Sequence, residues 1–181
     1  MNATARPPLL LHRYPTPLGE MAALFTPRGL GLLEFTVATQ GLEREWQAVE
    51  RHARAPAQSG ADERTRALGE QLRDYFAGRL RRFDVALDLV GTPFQQSVWR
   101  ALLEIAYGQT WSYAAQAAHM GRPSAVRAVA AANGQNKIAI IVPCHRVIGS
   151  HGHLTGYGGG LPRKRWLLAL ERGEAPPDAL E

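Results

Sequence analysis

The chain has 181 residues, 45% hydrophobic and 20% charged, which is the composition of an ordinary globular protein with one domain or two small ones. It contains no run near the ~20 consecutive apolar residues that span a bilayer, and its first twenty residues lack the apolar core of a signal peptide, so we expect a cytoplasmic protein without membrane contact. The net charge is +5, and the charges are unevenly distributed along the chain. The segment 105–170 carries seven Lys and Arg residues and no Asp or Glu, which excludes an evenly charged surface. This segment predicts an anionic partner, with nucleic acid the first candidate.

The first half of the chain alternates apolar runs with turn residues and predicts a small α+β domain over 1–91. Three strands are predicted, at 9–14, 21–25 and 30–35. The last two are joined as a hairpin through the turn-prone segment 26–29. Helical spacing of apolar residues predicts two helices, at 42–54 and 64–79. We expect a loop at 55–61 between them and an edge or half-buried strand at 83–89.

After Gly91 the pattern changes to short helices. Thr92 and Pro93 suit the N-cap and first turn of a helix that ends at Gly108. Two more helices are predicted, at 113–120 with Ser112 as its N-cap and at 124–133 with Ser124 as its N-cap. The three-residue turn between them contains a glycine, which is typical of a helix-turn-helix.

The remaining elements surround a lone cysteine. The apolar run 138–142 predicts a buried strand that leads towards Cys144. The glycine-rich segment 149–160 predicts a flexible loop or wing. A last helix is predicted from Pro162 to Glu171. We therefore expect a C-terminal domain over 92–175, followed by a tail over 176–181.

Cys144 is the single cysteine, which excludes an intrachain disulfide and a zinc site made of several cysteines. A lone cysteine is commonly a small buried hydrophobe, whereas a reactive one needs a base and positive charge nearby. His145 and Arg146 supply both in sequence. Adjacent residues on a strand point to opposite faces, however, so His145 can assist only if the backbone turns here. The residues alone leave a reactive and a structural cysteine open.

The predicted helix 124–133 carries five alanines and one arginine, Arg127. A helix that reads the major groove normally presents several long polar side chains to the base edges. This helix therefore predicts sequence-independent binding in which one side chain is inserted between bases. An alanine-rich core helix without contact to nucleic acid is the alternative.

Six segments, in this order, resemble the O6-alkylguanine-DNA alkyltransferase family: PFQQ (93–96), WSY (111–113), RPSAVRAV (122–129), IIVPCHRV (140–147), LTGYGGG (154–160) and RKRWLL (163–168). The resemblance implies an α+β fold, with a small ribonuclease-H-like N-terminal domain and a winged-helix-like C-terminal domain that contains the helix-turn-helix. It also implies DNA repair, by transfer of an alkyl group from O6-alkylguanine to Cys144. O4-alkylthymine is a second candidate substrate. A thioether does not release its alkyl group under mild conditions, so each molecule would react once.

The resemblance assigns catalytic roles by position. Cys144 would attack the alkyl carbon of a base that has been flipped out of the duplex. His145 would activate the thiol through a water, with Glu171 paired to its imidazole. Asn136 would tie the helix-turn-helix to the turn that carries the cysteine.

The resemblance also implies contacts to DNA and to the flipped base. Tyr113 would meet the flipped nucleotide and help to neutralise the leaving base, and Arg127 would fill the gap in the base stack. The other implied substrate or DNA contacts are Arg122, Ser124, Ala128, Val147, Tyr157, Gly158, Gly159 and Lys164. The expected partner is double-stranded DNA with an O6-alkylguanine, bound from the minor groove with little sequence preference. We expect a monomer without an obligate protein partner, a cofactor or a metal.

Three residues depart from the family pattern: Ala130 stands for a glycine, Gln135 for a common arginine and Lys137 for a common proline. None of them removes a catalytic group. Three other functions remain open alternatives. The first is a lesion-binding protein that does not accept the alkyl group, which the presence of Cys144 opposes. The second is a redox-regulated winged-helix regulator, which would lack a resolving cysteine. The third is a cysteine hydrolase, which would leave the basic helix-turn-helix unexplained.

Overall fold

The computed structural model describes residues 8–37 and 41–177, which form a mixed α+β fold with a small N-terminal sheet unit and a helical C-terminal unit. Of the predicted tail 176–181, residues 178–181 lie outside the described residues. Across the described ranges, every helix is too short or too polar to cross a membrane.

A four-stranded sheet of order β3-β2-β1-β4 organises the N-terminal unit. Its strands are β1 Leu9–Tyr14, β2 Met21–Thr26, β3 Gly29–Phe35 and β4 Ala57–Ser59. The first three strands pair antiparallel and β4 pairs parallel to β1. The three predicted strands and the hairpin are confirmed, with Thr26 opposite Gly29 across the turn. All residues of β2 and β3 are buried, because helices cover both faces of the sheet.

The two predicted N-terminal helices are confirmed as α1 Leu42–Ala53 and α2 Glu63–Phe76. A capping box begins α2: Asp62 accepts the backbone N–H of Thr65, and the Thr65 hydroxyl oxygen accepts the backbone N–H of Asp62. The helix ends three residues before the predicted position, because Gly78 adopts a left-handed conformation, with φ +71°, just beyond it.

Two N-terminal predictions are wrong. The expected loop 55–61 contains the short strand β4, which forms because the open edge of β1 supplies partners for its backbone groups. The expected strand 83–89 is an extended segment with a single bridge, Leu87 to Leu30. The backbone N–H and C=O of Asp84 bond to the side chain of Gln71, so they cannot take part in a ladder.

The C-terminal unit is built from four helices and a small sheet. The helices are α3 Pro93–Leu102, α4 Tyr113–His119, α5 Val126–Asn133 and α6 Leu161–Glu171, and the parallel strands are β5 Trp111–Ser112 and β6 Val147–Ile148. Ser112 caps α4 as predicted by accepting the N–H of Ala115. α3 ends at Leu102 rather than at Gly108, because the chain then forms turns whose backbone groups bond to side chains. The carbonyl oxygen of Ile105 accepts from Arg146, and the N–H of Gly108 donates to Glu171.

Ser124 does not cap α5, which is a further correction. Ala125 is the N-cap, and no side chain caps this helix. The N–H of Ala125 bonds to the carbonyl of Arg122 at 2.9 Å, so Ser124 lies inside the turn and α5 begins two residues later.

The predicted strand 138–142 is a buried turn with one bridge, Ile138 to Leu33. Ile140 adopts a left-handed φ of +71°, which is incompatible with a continuous strand. The side chain of Asn136 satisfies the backbone here by accepting the N–H of Ile138 and donating to the carbonyl of Val142. Periodicity alone cannot distinguish a short apolar run in a buried turn from one in a buried strand.

One hydrophobic core crosses both units. It includes Leu33, Phe35, Leu72 and Tyr75 from the N-terminal unit and Trp99, Leu102, Ile141, Val142 and Leu167 from the C-terminal unit. The turn before Cys144 is joined to β3 by two backbone bonds of 2.8 Å at Leu33. The cysteine is therefore held from both halves of the chain.

Candidate active site

Cys144 begins a single turn of 3-10 helix, Cys144–Arg146, that follows Pro143. The backbone turns at this point, which is the condition under which His145 can act with the cysteine. The amide nitrogen of Asn136 lies 3.2 Å from the Cys144 Sγ and 2.8 Å from the carbonyl oxygen of Val142. Asn136 therefore joins the end of α5 to the cysteine turn, and its N–H favours a thiolate at Sγ.

His145 and Glu171 form a fully buried pair, with Nε2 of the histidine 2.7 Å from Oε1 of the glutamate. A carboxylate only accepts hydrogen bonds, so Nε2 carries the hydrogen and Nδ1 keeps its lone pair. The Nδ1 atom is buried and has no hydrogen-bond partner among the described residues. Burial lowers the pKa of His145, an effect that the hydrogen bond to Glu171 only partly offsets. The imidazole is thus a neutral base with one free acceptor atom.

Glu171 is held by donors from four residues in three parts of the chain. They are His145 Nε2, Arg146 Nε and Nη2, the Tyr75 hydroxyl and the backbone N–H of Gly108. Burial opposes the charge of Glu171, but the hydrogen bonds and charges of His145 and Arg146 outweigh it and hold the pKa of this carboxyl well below its usual range. Glu171 is therefore an anion that can stabilise a protonated His145.

The Cys144 thiol is not a thiolate on its own. Burial raises its pKa to about 11, and the negative charge of Glu34 adds to this, against the Asn136 hydrogen bond and the Lys164 charge. A thiol with this pKa is protonated at neutral pH, so an attack by Cys144 needs a base. His145 is the neutral base next to it in the chain.

Lys164 is buried, and its Nζ donates to the carbonyl oxygens of Val147, Thr155 and Gly156 at 2.6, 2.7 and 3.3 Å. Burial lowers its pKa to about 8. The ammonium group thus ties α6 to β6 and to the glycine-rich loop, and it supplies positive charge close to Cys144.

The glycine-rich loop lies over the cysteine turn. The Tyr113 hydroxyl donates to the carbonyl of Thr155 at 3.1 Å. The Tyr157 ring meets the His145 ring edge-on at 6.5 Å between centroids, and its hydroxyl is buried without a hydrogen-bond partner among the described residues. A Cβ at Gly159 would lie 2.8 Å from the Tyr157 ring, whereas one at Gly158 would meet nothing within 4 Å.

The four predicted DNA contacts of the helix-turn-helix lie on its surface: Arg122, Ser124, Arg127 and Ala128 are exposed. The Arg122 guanidinium lies 5.6 Å from the centroid of the Phe94 ring. The structure therefore separates the predicted residues into two groups, one around Cys144 and one on the outer face of α5 and the preceding turn.

Three residues of the site were not predicted from the sequence. Tyr75 and Glu34 come from the N-terminal unit, where no motif was visible, and Arg163 had no role beyond its charge. Arg163 is buried and donates to the carbonyl oxygens of Leu18 and Gly159. A buried arginine on the apolar side of α6 could have been suspected from the RKRW segment, but its partners could not.

Two of the three departures from the family pattern, Gln135 and Lys137, contact residues of α3. Lys137 places its ammonium 5.0 Å from the Trp99 ring centroid, and Gln135 accepts a hydrogen bond from Gln95 at 2.5 Å. Both residues line a cavity of about 310 Å³ together with Glu45 of α1. Within 8–37 and 41–177, no three His, Cys, Asp or Glu side chains gather as a metal site would require.

Comparisons with known proteins agree with this arrangement. The profile of the 6-O-methylguanine DNA methyltransferase DNA-binding domain matches residues 93–173. A methylated-DNA--protein-cysteine methyltransferase of Mycobacterium tuberculosis is 64% identical over 109 residues, which are 60% of this chain and 66%, or just under two thirds, of that protein. The one of Methanosarcina barkeri is 43% identical over 86% of this chain and 92% of its own. The crystal structure of Mycobacterium tuberculosis OGT in complex with DNA superposes with a TM-score of 0.78, at 46% identity over 93% of this chain and 96% of that one.

Proposed function

The chain belongs to the methylated-DNA--protein-cysteine methyltransferase family, whose members transfer alkyl groups from DNA to one of their own cysteines, and we propose that Cys144 is that cysteine here. The observation that carries the proposal is the buried Nδ1 of His145, which has no hydrogen-bond partner among the described residues while Nε2 is fixed on Glu171. This arrangement gives the thiol of Cys144 a neutral base whose protonated form is stabilised by a carboxylate.

The reaction follows from these groups. The thiol proton passes through a water to His145 Nδ1, and the imidazolium is held against Glu171. The Cys144 sulfur then forms a bond to the alkyl carbon while the bond from that carbon to O6 breaks. The electron pair stays with the guanine, and this anion takes up one proton, which balances the thiol proton that His145 received and then releases. Tyr113, whose hydroxyl lies at the glycine-rich loop, donates a hydrogen bond to the leaving base. The product is a thioether, so the protein acts once.

The proposed substrate is O6-alkylguanine in duplex DNA, with O4-alkylthymine as a further candidate. The base must leave the stack to reach a buried sulfur. Arg127 is exposed on α5 and is the one long side chain of this alanine-rich helix, which suits it to fill the gap. Arg122, Ser124 and Ala128 lie on the same surface and would contact the backbone in the minor groove with little sequence preference.

The remaining predicted site residues would shape the pocket for the flipped base. Val147 is buried and anchors Lys164 through its carbonyl. Tyr157, Gly158 and Gly159 form the loop over the cysteine turn, and Gly158 has free space beside it. In this proposal the loop contacts the base, while Lys164 orders the loop.

We also propose the finer architecture and the boundaries. Antiparallel β1–β3 with a parallel β4 next to β1 suits a ribonuclease-H-like N-terminal domain over 1–91. The pair α4–α5 with its short turn suits a winged-helix-like domain over 92–175, before the tail at 176–181. The protein would work as a monomer.

The test is to incubate the protein with duplex DNA that contains one O6-methylguanine and to measure the intact mass. We expect one added methyl group per molecule, located on Cys144, and no addition in Cys144→Ser. Repeated turnover on excess DNA, or no transfer at all, would overturn the proposal. A duplex with O4-methylthymine in a parallel reaction decides whether that base is a second substrate.

A further inference from the structure

The N-terminal unit reaches the catalytic glutamate directly. The Tyr75 hydroxyl, on α2, lies 2.6 Å from Oε1 of Glu171, on α6, and donates to it across a separation of 96 residues. Tyr75 is fully buried, and Glu171 is 5% exposed. This contact is not part of any motif in the sequence, and the reaction described above makes no use of it.

The hydroxyl of Tyr75 and the imidazole of His145 share one acceptor atom. Oε1 accepts Tyr75 at 2.6 Å, His145 Nε2 at 2.7 Å and Arg146 Nη2 at 3.0 Å. Hydrogen bonds to a carboxylate oxygen spread its negative charge over several donors, so each added donor weakens the attraction of that oxygen for the others. Tyr75 therefore sets how strongly Glu171 can stabilise a protonated His145.

The surroundings of Tyr75 keep its hydroxyl a hydrogen-bond donor in one orientation. Its ring packs against Phe76, Phe83 and Tyr107, with centroids 5.5, 5.3 and 6.1 Å away. Burial and the neighbouring carboxylate of Glu171 raise the pKa of Tyr75 well above its usual value. The hydroxyl thus keeps its hydrogen at neutral pH, and the ring contacts hold it towards Glu171.

We propose that Tyr75 is a positioning residue for alkyl transfer, which fixes Oε1 of Glu171 and limits the basicity of His145. The inference rests on the proposed function of His145 as the base for Cys144. It gives the N-terminal unit a part in the chemistry, because α2 supplies a hydrogen bond that the C-terminal unit cannot supply itself.

Several titratable and charged groups face the same pair and would be unchanged in a Tyr75 variant. They are Arg146 of the cysteine turn, Lys164 of α6, and Tyr107 and Tyr157 of the loops, while Cys144 and Glu34 of β3 lie next to the pair and act on Tyr157. A change in the titration of His145 on removal of one hydroxyl is therefore assignable to Tyr75.

The test is the pH dependence of methyl transfer in a single turnover, with Tyr75→Phe compared with the natural chain. Without the hydroxyl, Oε1 attracts the His145 proton more strongly, so the imidazolium is stabilised and the pKa of His145 rises. The base must be neutral at the start, so the acid limb of the rate profile should move up by roughly 0.5–1 pH unit. On that limb the rate then falls about three- to tenfold.

Tyr14→Phe is the matched control. Tyr14 is also a buried tyrosine, and its hydroxyl donates to the carbonyl of Thr65 on α2 at 2.9 Å, without contact to Glu171. Tyr14→Phe should lower the free energy of unfolding but leave the pH dependence of methyl transfer unchanged. If both variants keep the natural profile, Tyr75 is only a structural contact and the inference is wrong.

A fluorinated tyrosine at position 75 keeps the ring and makes the hydroxyl a stronger donor. The acid limb should then move to lower pH, opposite to Tyr75→Phe, and a shift in the same direction would overturn the inference. The ¹⁵N chemical shifts of His145, titrated without DNA, report the same pKa. This titration distinguishes the role of Tyr75 from the proposed function. If the pKa of His145 depends on Tyr75 but the protein transfers no methyl group, the proposed function is wrong and the role of Tyr75 stands.

Discussion

The guanidinium carbon of Arg163 lies 4.4 Å from the centroid of the Phe35 ring, so the first turn of α6 is stacked on the last residue of β3. The same guanidinium donates to the carbonyl oxygens of Leu18 and Gly159 at 2.9 and 2.8 Å. One buried side chain thus connects the N-terminal sheet, α6 and the loop over Cys144.

We expect Arg163→Ala to lower the free energy of unfolding by about 2–4 kcal/mol, because it leaves two buried carbonyls unpaired and removes the stacked group. Methyl transfer should also slow, since the loop loses its anchor at Gly159. Chemical denaturation and single-turnover kinetics measure the two effects. Arg165→Ala is the control, because Arg165 is exposed on the same helix. Equal stability of the two variants would contradict the role of Arg163.

Arg127→Ala should weaken binding to DNA that contains the lesion by roughly ten- to hundredfold, because the cost of unstacking is then not compensated by an inserted side chain. Reaction of Cys144 with the free O6-methylguanine base should be unchanged, since no duplex is opened. Arg66→Ala removes the same charge from an exposed position on α2 and serves as the control. Titration of a fluorescent duplex measures the affinities. Lesion repair at the natural rate in Arg127→Ala would rule out the wedge.

Asn136→Ala should raise the pKa of the Cys144 thiol further, because the N–H that favours the thiolate is lost. Alkylation by iodoacetamide at pH 8 should therefore slow. The rate against pH gives the thiol pKa directly. Asn133→Ala removes another buried amide, paired with Gln116 at 2.6 Å, and controls for lost stability. A thiol titration that is the same in both variants would show that Asn136 has no effect on the sulfur.

Gly159→Ala should destabilise the fold by roughly 1–3 kcal/mol, since its Cβ would lie 2.8 Å from the Tyr157 ring and 3.1 Å from the Phe35 ring. Gly158→Ala places a methyl group in open space and should change the unfolding free energy by less than about 0.5 kcal/mol. Thermal and denaturant unfolding of the two neighbours compare the sites directly. The idea fails if Gly159→Ala is as stable as Gly158→Ala.

Glu45→Gln should make the protein more stable at pH 8 and leave it unchanged near pH 4. Burial raises the pKa of Glu45 to about 7, against the charges of Lys137 and Arg44. Between the unfolded pKa and this value the native state binds the extra proton, so the natural chain loses stability as the pH rises through this window. The gain at pH 8 should be on the order of 1–3 kcal/mol. Denaturant unfolding at both pH values measures it, and a gain that is the same at both would refute the linkage.

Local patterns in the chain were sufficient to predict the elements that depend on neighbouring residues. The strands at 9–14, 21–25 and 30–35, the hairpin turn and the Ser112-capped helix follow from alternation, turn residues and capping, which are properties of neighbouring residues. The PCHRV and GYGGG segments gave the family, because the same side chains recur there in the same order. The PCHRV segment contains the candidates Cys144 and His145, and the resemblance to the family added Asn136.

The contacts between those elements depend on long-range packing and could not be predicted from local patterns. The apolar run 138–142 is a turn rather than a strand because the side chain of Asn136, a few residues before it, and the backbone of Leu33, which is distant in sequence, satisfy its backbone groups. Tyr75 and Glu34 reach the cysteine region from elements distant in sequence, so no local pattern can reveal them. The RKRW segment contains Arg163 but does not reveal its partners. The proposed reactivity of Cys144 likewise depends on burial, which raises its thiol pKa, and on the Nδ1 of His145, which has no hydrogen-bond partner among the described residues. Burial and the pairing of distant groups arise when the chain packs, which is why the sequence could name the residues but could not assign their chemistry.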